Sequence, residues 1–248
     1  MSKGRDKTKT SSAVVVSDDQ AGEVSTSADV DAFLAKVNAL PPAARPGEGG
    51  RLIFAMDATM SRQPTWDRAL HIQGEMFDET AKIGGLDVQL IFFRGFGECK
   101  ASRWVSDGRA LANLMSTVDC RGGQTQIGKV MARIRKEHAK ERVNAVVYVG
   151  DAMEENVDRL CNQAGEIGLL GVPIFMFQEG HDPTAEQAFR EIARLTRGAW
   201  CRFDASSARQ LRDLLAAVAV YATGGRKALA DYSKANGGEA VALLEQLS

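Results

Sequence analysis

The feature that most constrains this chain is a rhythm: short apolar runs alternating with amphipathic stretches of helix length. Leu52-Ile53-Phe54-Ala55-Met56 is apolar at every position and stops at Asp57. A run of that kind is a strand buried on both faces, not one alternating between core and water. Further strands are expected at Val88 to Phe93, Ala101 to Val105, Val143 to Val149, Val172 to Phe177 and Trp200 to Phe203. Between them lie helical patterns. Pro64 suits a first helical turn, and Trp66, Leu70, Phe77 and Ala81 follow at helical spacing until Gly84-Gly85. Ser106 is the expected cap of a helix through Val118. Other helices are expected over Ile127 to Ala139, Glu154 to Ile167, Thr184 to Thr196 and Ser206 to Tyr221. Strands separated by helices of this length make a parallel sheet covered on both faces. The second and third strands are joined only by the turn Arg94-Gly95-Phe96-Gly97, so they form a hairpin. The expected fold is therefore α/β and doubly wound, a mostly parallel sheet with one antiparallel edge strand.

The flanks read differently. Residues 1–27 are rich in Lys, Ser, Thr and Asp and carry too little apolar content to order themselves. Val30 to Val37 forms a short amphipathic helical stretch, closed by Pro41-Pro42, and Arg45 to Gly50 reads as a linker. The chain thus divides into a tail over 1–50, a domain over 51–222 and an extension over 223–248. The extension holds Gly224-Gly225, Gly237-Gly238 and a small helix over Glu239 to Leu247.

Several functions are disfavoured early. A formal net charge of −1 argues against electrostatic capture of nucleic acid. No run approaches a membrane span, and Ala13 to Val16 is too short for a signal-peptide core, so a cytoplasmic setting is expected. Cys99, Cys120, Cys161 and Cys201 are scattered, the pattern of core fillers and not of a zinc site or disulfide framework. His71, His138 and His181 fall on or near helices, away from the strand ends. Phe92, Phe93, Phe96 and Trp104 alternate along the hairpin and read as core, with an exposed patch where the hairpin forms the sheet edge.

In doubly wound sheets, ligands bind beyond the carboxyl ends of the strands, where strand order reverses. Three loops at that edge carry oxygen donors. The first strand runs into Asp57-Ala58-Thr59-Met60-Ser61. The loop after Val118 reads Arg121-Gly122-Gly123-Gln124-Thr125-Gln126-Ile127-Gly128, and the strand ending at Val149 runs into Gly150-Asp151. Carboxylates and hydroxyls suit a hard cation such as Mg²⁺, whereas softer metals call for His or Cys.

At these residues the chain resembles the von Willebrand factor A family over roughly 51–222. That family's metal-ion-dependent adhesion site is written DxSxS, then a distant Thr, then a distant Asp. Asp57, Thr59 and Ser61 stand on DxSxS, Gly122 to Gly128 match the GGxTxxG loop, and Asp151 matches the second acid. The sequence departs in having Thr59 in place of the first Ser, and Ala152 in place of the usual Gly after Asp151. The resemblance implies one Mg²⁺ or Mn²⁺, held by the hydroxyls of Thr59 and Ser61, with Thr125 joining in some states. Asp57 and Asp151 then act largely through water. It further implies a protein partner whose Asp or Glu completes the coordination, and so a non-enzymatic adaptor module within a larger assembly.

Two alternatives stand beside it. A phosphatase of the haloacid dehalogenase type also places Asp after the first strand and uses Mg²⁺. That chemistry needs a second Asp two residues on as general acid, where this chain has Thr59. A subunit of a nucleic-acid-processing assembly is the other, supported only by the basic residues of the tail.

Overall fold

The computed structural model describes residues 49–72, 85–203 and 208–235. The expected tail, the short helix at 30–37, the end of the helix holding Phe77 and Ala81, and the helix at 239–247 lie outside the described residues.

A sheet forms from β1 (Gly50–Asp57), β2 (Leu86–Arg94), β3 (Glu98–Val105), β4 (Ala145–Gly150), β5 (Ile174–Glu179) and β6 (Trp200–Phe203). Its strand order is β3-β2-β1-β4-β5-β6, parallel throughout except for β3, which runs antiparallel to β2 at the edge. The described helices are α1 (Gln63–Ile72), α2 (Gly108–Met115), α3 (Ile127–Lys140), α4 (Val157–Leu169), α5 (Pro183–Leu195) and α6 (Ala208–Ala235).

β1 explains why the sheet sits at the centre. Every residue of β1 is buried, because its two faces feed two different cores. Leu52, Phe54 and Met56 pack in one layer with Trp66 of α1, Leu111 and Met115 of α2, and the 214–222 stretch of α6. Ile53 and Ala55 pack in the other, with α3, α4 and α5 through Val130, Leu160 and Phe189. Each fully buried aliphatic or aromatic side chain adds about 1.5–3 kcal/mol of transfer free energy, which no single-sided strand collects on both faces.

The structure moves several expected boundaries. The cap of α2 is Asp107 and not Ser106: its side chain accepts from Ala110 N–H, while the Ser106 hydroxyl is engaged with Asp87. α4 begins at Val157 with Asn156 as its cap, not at Glu154. The closing helix runs past Tyr221 to Ala235. Gly225 breaks it with φ 66° and ψ −160°, a backbone region glycine enters without a Cβ penalty, and the chain then resumes helical geometry. Gly224-Gly225, expected in the extension after the closing helix, thus sits at a kink inside it.

Candidate functional site

β1 and β4 are neighbours, with Met56 paired to Val149. The strand order reverses between them, so Asp57 and Asp151 emerge side by side at the carboxyl edge. The loop after β1 is pinned from both sides: Ala58 N–H donates to Phe93 O (2.9 Å), and Arg121 N–H donates to Ala58 O (3.0 Å). Thr59 N–H then donates to Asp57 Oδ1 at 2.7 Å. A 3₁₀ turn, Met60–Arg62, follows. It brings the Thr59 and Ser61 hydroxyl oxygens to 3.4 Å from one another, and the Ser61 hydroxyl donates to Asp151 Oδ2 at 2.8 Å.

The third loop is seated on the β2–β3 turn. A Cβ on Gly123 would lie 2.3 Å from the Gly95 carbonyl oxygen, a separation that only glycine avoids. Gln124 N–H donates to Gly95 O (3.2 Å), and the Gln126 side-chain amide donates to Arg94 O and Gly95 O. Thr125 is held by a reciprocal pair: its N–H donates to Glu154 Oε2 (3.0 Å), and Glu154 N–H donates to Thr125 Oγ1 (3.0 Å). Glu155 accepts from Ile127 N–H and Gly128 N–H at the start of α3. There Gln126 offers no side-chain cap, and an anion satisfies both the orphan amides and the helix dipole.

These contacts leave a cleft of about 210 Å³ into which Asp57, Thr59, Ser61, Thr125 and Asp151 all face, with Met60, Gly122, Gly123, Ala152 and Glu154 around them. Asp57 is only 1% exposed. Its Oδ2 is buried and has no hydrogen-bond partner among the described residues. Burial pushes its carboxyl up to about 6, against the lowering effect of the Thr59 donors. Beneath it the Tyr148 hydroxyl is likewise buried without a partner. Burial, and then the charge of Asp57, hold that phenol well above its usual range. Unsatisfied buried polar atoms are few in folded proteins and call for an explanation.

Sequence reasoning did not single out Glu154, Glu155, Arg62 or Glu179. Glu154 and Glu155 read as ordinary first-turn residues of a helix that begins three residues later. Arg62 carries no sequence signal of its own, yet it is buried and paired with Glu179. The three histidines stay away from the cleft, as expected. His71 and His181 are exposed, and His138 Nδ1 accepts from Val143 N–H at the opposite edge of the sheet. Of the hairpin aromatics, Phe93 is core, while Phe96 is 85% exposed at the turn. Among the described residues, no group of three or more His, Cys, Asp or Glu is placed to hold a metal. Any cation in the cleft is therefore met by a mixed set of carboxylates and hydroxyls.

No family model matches the sequence, and neither does any curated protein. Solved structures do resemble the fold. One is proximal thread matrix protein 1 from the mussel byssus with a zinc-occupied MIDAS motif: TM-score 0.57, 13% identity, covering 72% of this chain and 47% of that one. This chain thus spans about half the length of the mussel protein. The VWA domain of SpRpn10 matches with TM-score 0.53 and 15% identity, covering 67% of this chain and 95% of that one. The vWF domain of the pilus tip protein Mfa5 from Porphyromonas gingivalis matches with TM-score 0.54 and 9% identity, covering 71% and 96%. At identities this low the likeness is one of fold: with its mostly parallel six-stranded sheet edged by antiparallel β3 and covered by helices, the chain folds as a von Willebrand factor A-like domain.

Proposed function

We propose that the cleft holds one divalent cation, Mg²⁺ or Mn²⁺, and through it captures an Asp or Glu side chain of a protein partner. The observation that carries this reading is Asp57 Oδ2: a carboxylate oxygen buried without a partner among the described residues, in a cleft that three hydroxyls and a second carboxylate also line. Hard cations take such oxygen donors and retain waters. Thr59, Ser61 and Thr125 would offer neutral hydroxyls. Asp57 and Asp151 would balance the charge, Asp151 oriented by its hydrogen bond from Ser61. Bound there, the ion supplies electrophilic capture of an anionic oxygen. With three neutral hydroxyls among the donors, Thr59, Ser61 and Thr125 would leave such an ion charge to share with a partner carboxylate. The surrounding contacts then exclude water and strengthen the bond.

This is a binding module and not an enzyme. A phosphatase of the haloacid dehalogenase type would need a general acid two residues after Asp57, and Thr59, which stands there, cannot serve. Among the described residues no helix is long and apolar enough to cross a membrane. Cys99, Cys120, Cys161 and Cys201 form no disulfide with one another, which supports the reducing, cytoplasmic setting included in this proposal. We assign the domain to 51–222, with the tail over 1–50 and the extension over 223–248 as appendages.

The test is a pull-down from source lysate with and without EDTA, using wild type and Asp57→Ala, alongside calorimetry with Mg²⁺ and Mn²⁺. Capture should be lost with chelator, restored by Mg²⁺, and lost in the variant. An identical set of captured proteins under all conditions would refute the metal bridge.

A further inference from the structure

Between the cleft and β5 lies a buried ion cluster that metal capture does not use. Arg62 follows Ser61 directly, and its side chain is only 2% exposed. One terminal nitrogen, Nη1, stands 3.9 Å from Asp151 Oδ2, and Nη2 pairs with Glu179 at the end of β5. The Thr65 hydroxyl donates to the same Glu179 oxygen. Arg62 Nε is buried with no partner among the described residues. A guanidinium this deep is costly unless opposite charge matches it, and it cannot shed its proton to escape that cost. The carboxylates outnumber it: Asp151 and Glu179 touch it, and Asp57 lines the same cleft as Asp151.

We propose that Arg62 is a resident cation of the cleft, supplying part of the positive charge that a divalent ion would bring and thereby limiting how tightly that ion is held. The inference rests on reading the cleft as a cation site. Asp151 Oδ2 is the shared atom, since it accepts from the Ser61 hydroxyl at 2.8 Å and faces Arg62 at 3.9 Å. A cation drawing on Asp151 therefore competes with a fixed positive charge that is already using it. Glu179 is the counterweight. By holding Nη2 it spends part of the Arg62 charge away from Asp151, so its loss turns more of that charge onto the cleft. Coupling of this kind keeps the domain folded without metal and makes ion binding reversible.

The experiment measures Mn²⁺ affinity of the full chain by calorimetry. Removing one positive charge near a divalent ion should tighten its binding about tenfold at the dielectric of a partly buried site, so Arg62→Gln is expected to gain that factor. Arg62→Lys, which keeps the charge, should stay within about threefold of wild type. Glu179→Gln should bind several-fold more weakly, and should do so much less in the Arg62→Gln background, because Glu179 acts through Arg62. If wild type binds Mn²⁺ and Arg62→Gln binds it no more tightly, Arg62 is only structural and the metal reading stands. If wild type binds no Mn²⁺ but Arg62→Gln does, Arg62 occupies the cation's role, and the metal bridge fails for the native chain. If neither binds, both ideas fall. Should Arg62→Gln not fold, equal affinities for Glu179→Gln and wild type would overturn the proposal, and weaker binding by Glu179→Gln with Arg62→Lys near wild type would support it.

Discussion

Two carboxylates lie buried at opposite edges of the sheet, Asp57 at 1% exposure and Glu137 at 5%. Glu137, near the end of α3, accepts from Lys140 Nζ (2.6 Å) and from Trp104 Nε1 (3.4 Å). The Arg51 guanidinium lies over that Trp104 ring at 4.0 Å. Burial alone would raise the Glu137 carboxyl, but the Lys140 and Trp104 hydrogen bonds outweigh it, so the group lies below its usual range. Asp57 suffers a heavier burial penalty with fewer donors, and burial prevails, to about 6. At one edge the chain furnishes its acid with a cation and a donor. At the other it leaves an oxygen bare. A fold that solves the problem in one place and leaves it open in another supports the proposal that the open place takes a ligand.

The largest expected effect follows from that bare oxygen. The folded value for Asp57, about 6, lies above its ordinary 3.8. Stability from the protonated form is therefore complete below 3.8 and lost as pH rises through 6. The penalty above pH 7 is up to about 3 kcal/mol, two units at roughly 1.4 kcal/mol each. Asp57→Asn in EDTA at pH 7.5 should thus resist urea better than wild type by up to about that amount, with the gain vanishing below pH 4. A less stable variant at pH 7.5 would show that the oxygen has a partner in solution, and would erase the contrast. Next in size is the ion itself. At a hundredfold excess over its Kd, Mg²⁺ or Mn²⁺ should add about 2.7 kcal/mol to wild type by mass action. Glu137→Gln should gain equally and Asp57→Asn should not. Melting curves with and without metal decide it.

Much of this architecture is written plainly in the residues. The run Leu52 to Met56 declares a strand buried on both faces because nothing polar interrupts it, and the structure uses both faces. The hairpin turn around Gly95 declares the antiparallel edge. Asp57, Thr59, Ser61, Thr125 and Asp151 come together because each follows a strand or opens a helix at one edge, and strand order alone decides that. Boundaries were harder to read. Glu154 and Glu155 read as helix, yet their carboxylates reach the amides of Thr125, Ile127 and Gly128, a long-range use that no local pattern reveals. The burial of Arg62 is invisible for the same reason: its partner Glu179 lies on a strand more than a hundred residues away in sequence.

The base of the sheet provides the opposite test. Glu137→Gln keeps the shape but loses the charge-assisted bond from Lys140, and should cost about 1–2 kcal/mol at pH 7. The pH dependence runs opposite to that of Asp57. With a folded value below the ordinary 4.5, the contribution of Glu137 is present above 4.5 and lost as pH falls through the folded value. The advantage of wild type over Glu137→Gln should therefore fade in acid. If both carboxylates respond to pH in the same direction, the partners seen in the structure are not what separates them.

The smallest expected effect concerns Thr59, where the chain departs from the Ser of the adhesion-site pattern. Thr59 is 9% exposed and extended, with φ −74° and ψ 165°, a conformation Ser adopts equally well. Its N–H anchors Asp57 Oδ1, and its hydroxyl oxygen faces Ser61. Both groups survive in Thr59→Ser. What is lost is one methyl and the stiffness of a β-branched side chain, so stability should change by less than about 0.5 kcal/mol. Mn²⁺ affinity should change by less than threefold, slightly weaker because the hydroxyl is less well held. Thr59→Val keeps the shape and removes the oxygen, and should weaken the ion far more than Thr59→Ser. The pair of variants separates the two roles of the side chain. If Thr59→Ser alters Mn²⁺ affinity by tenfold or more while Thr59→Val does not, the methyl shapes this edge of the cleft and the hydroxyl does not bind the ion. The contrast with Glu137 would then rest on packing and not on unmatched oxygens.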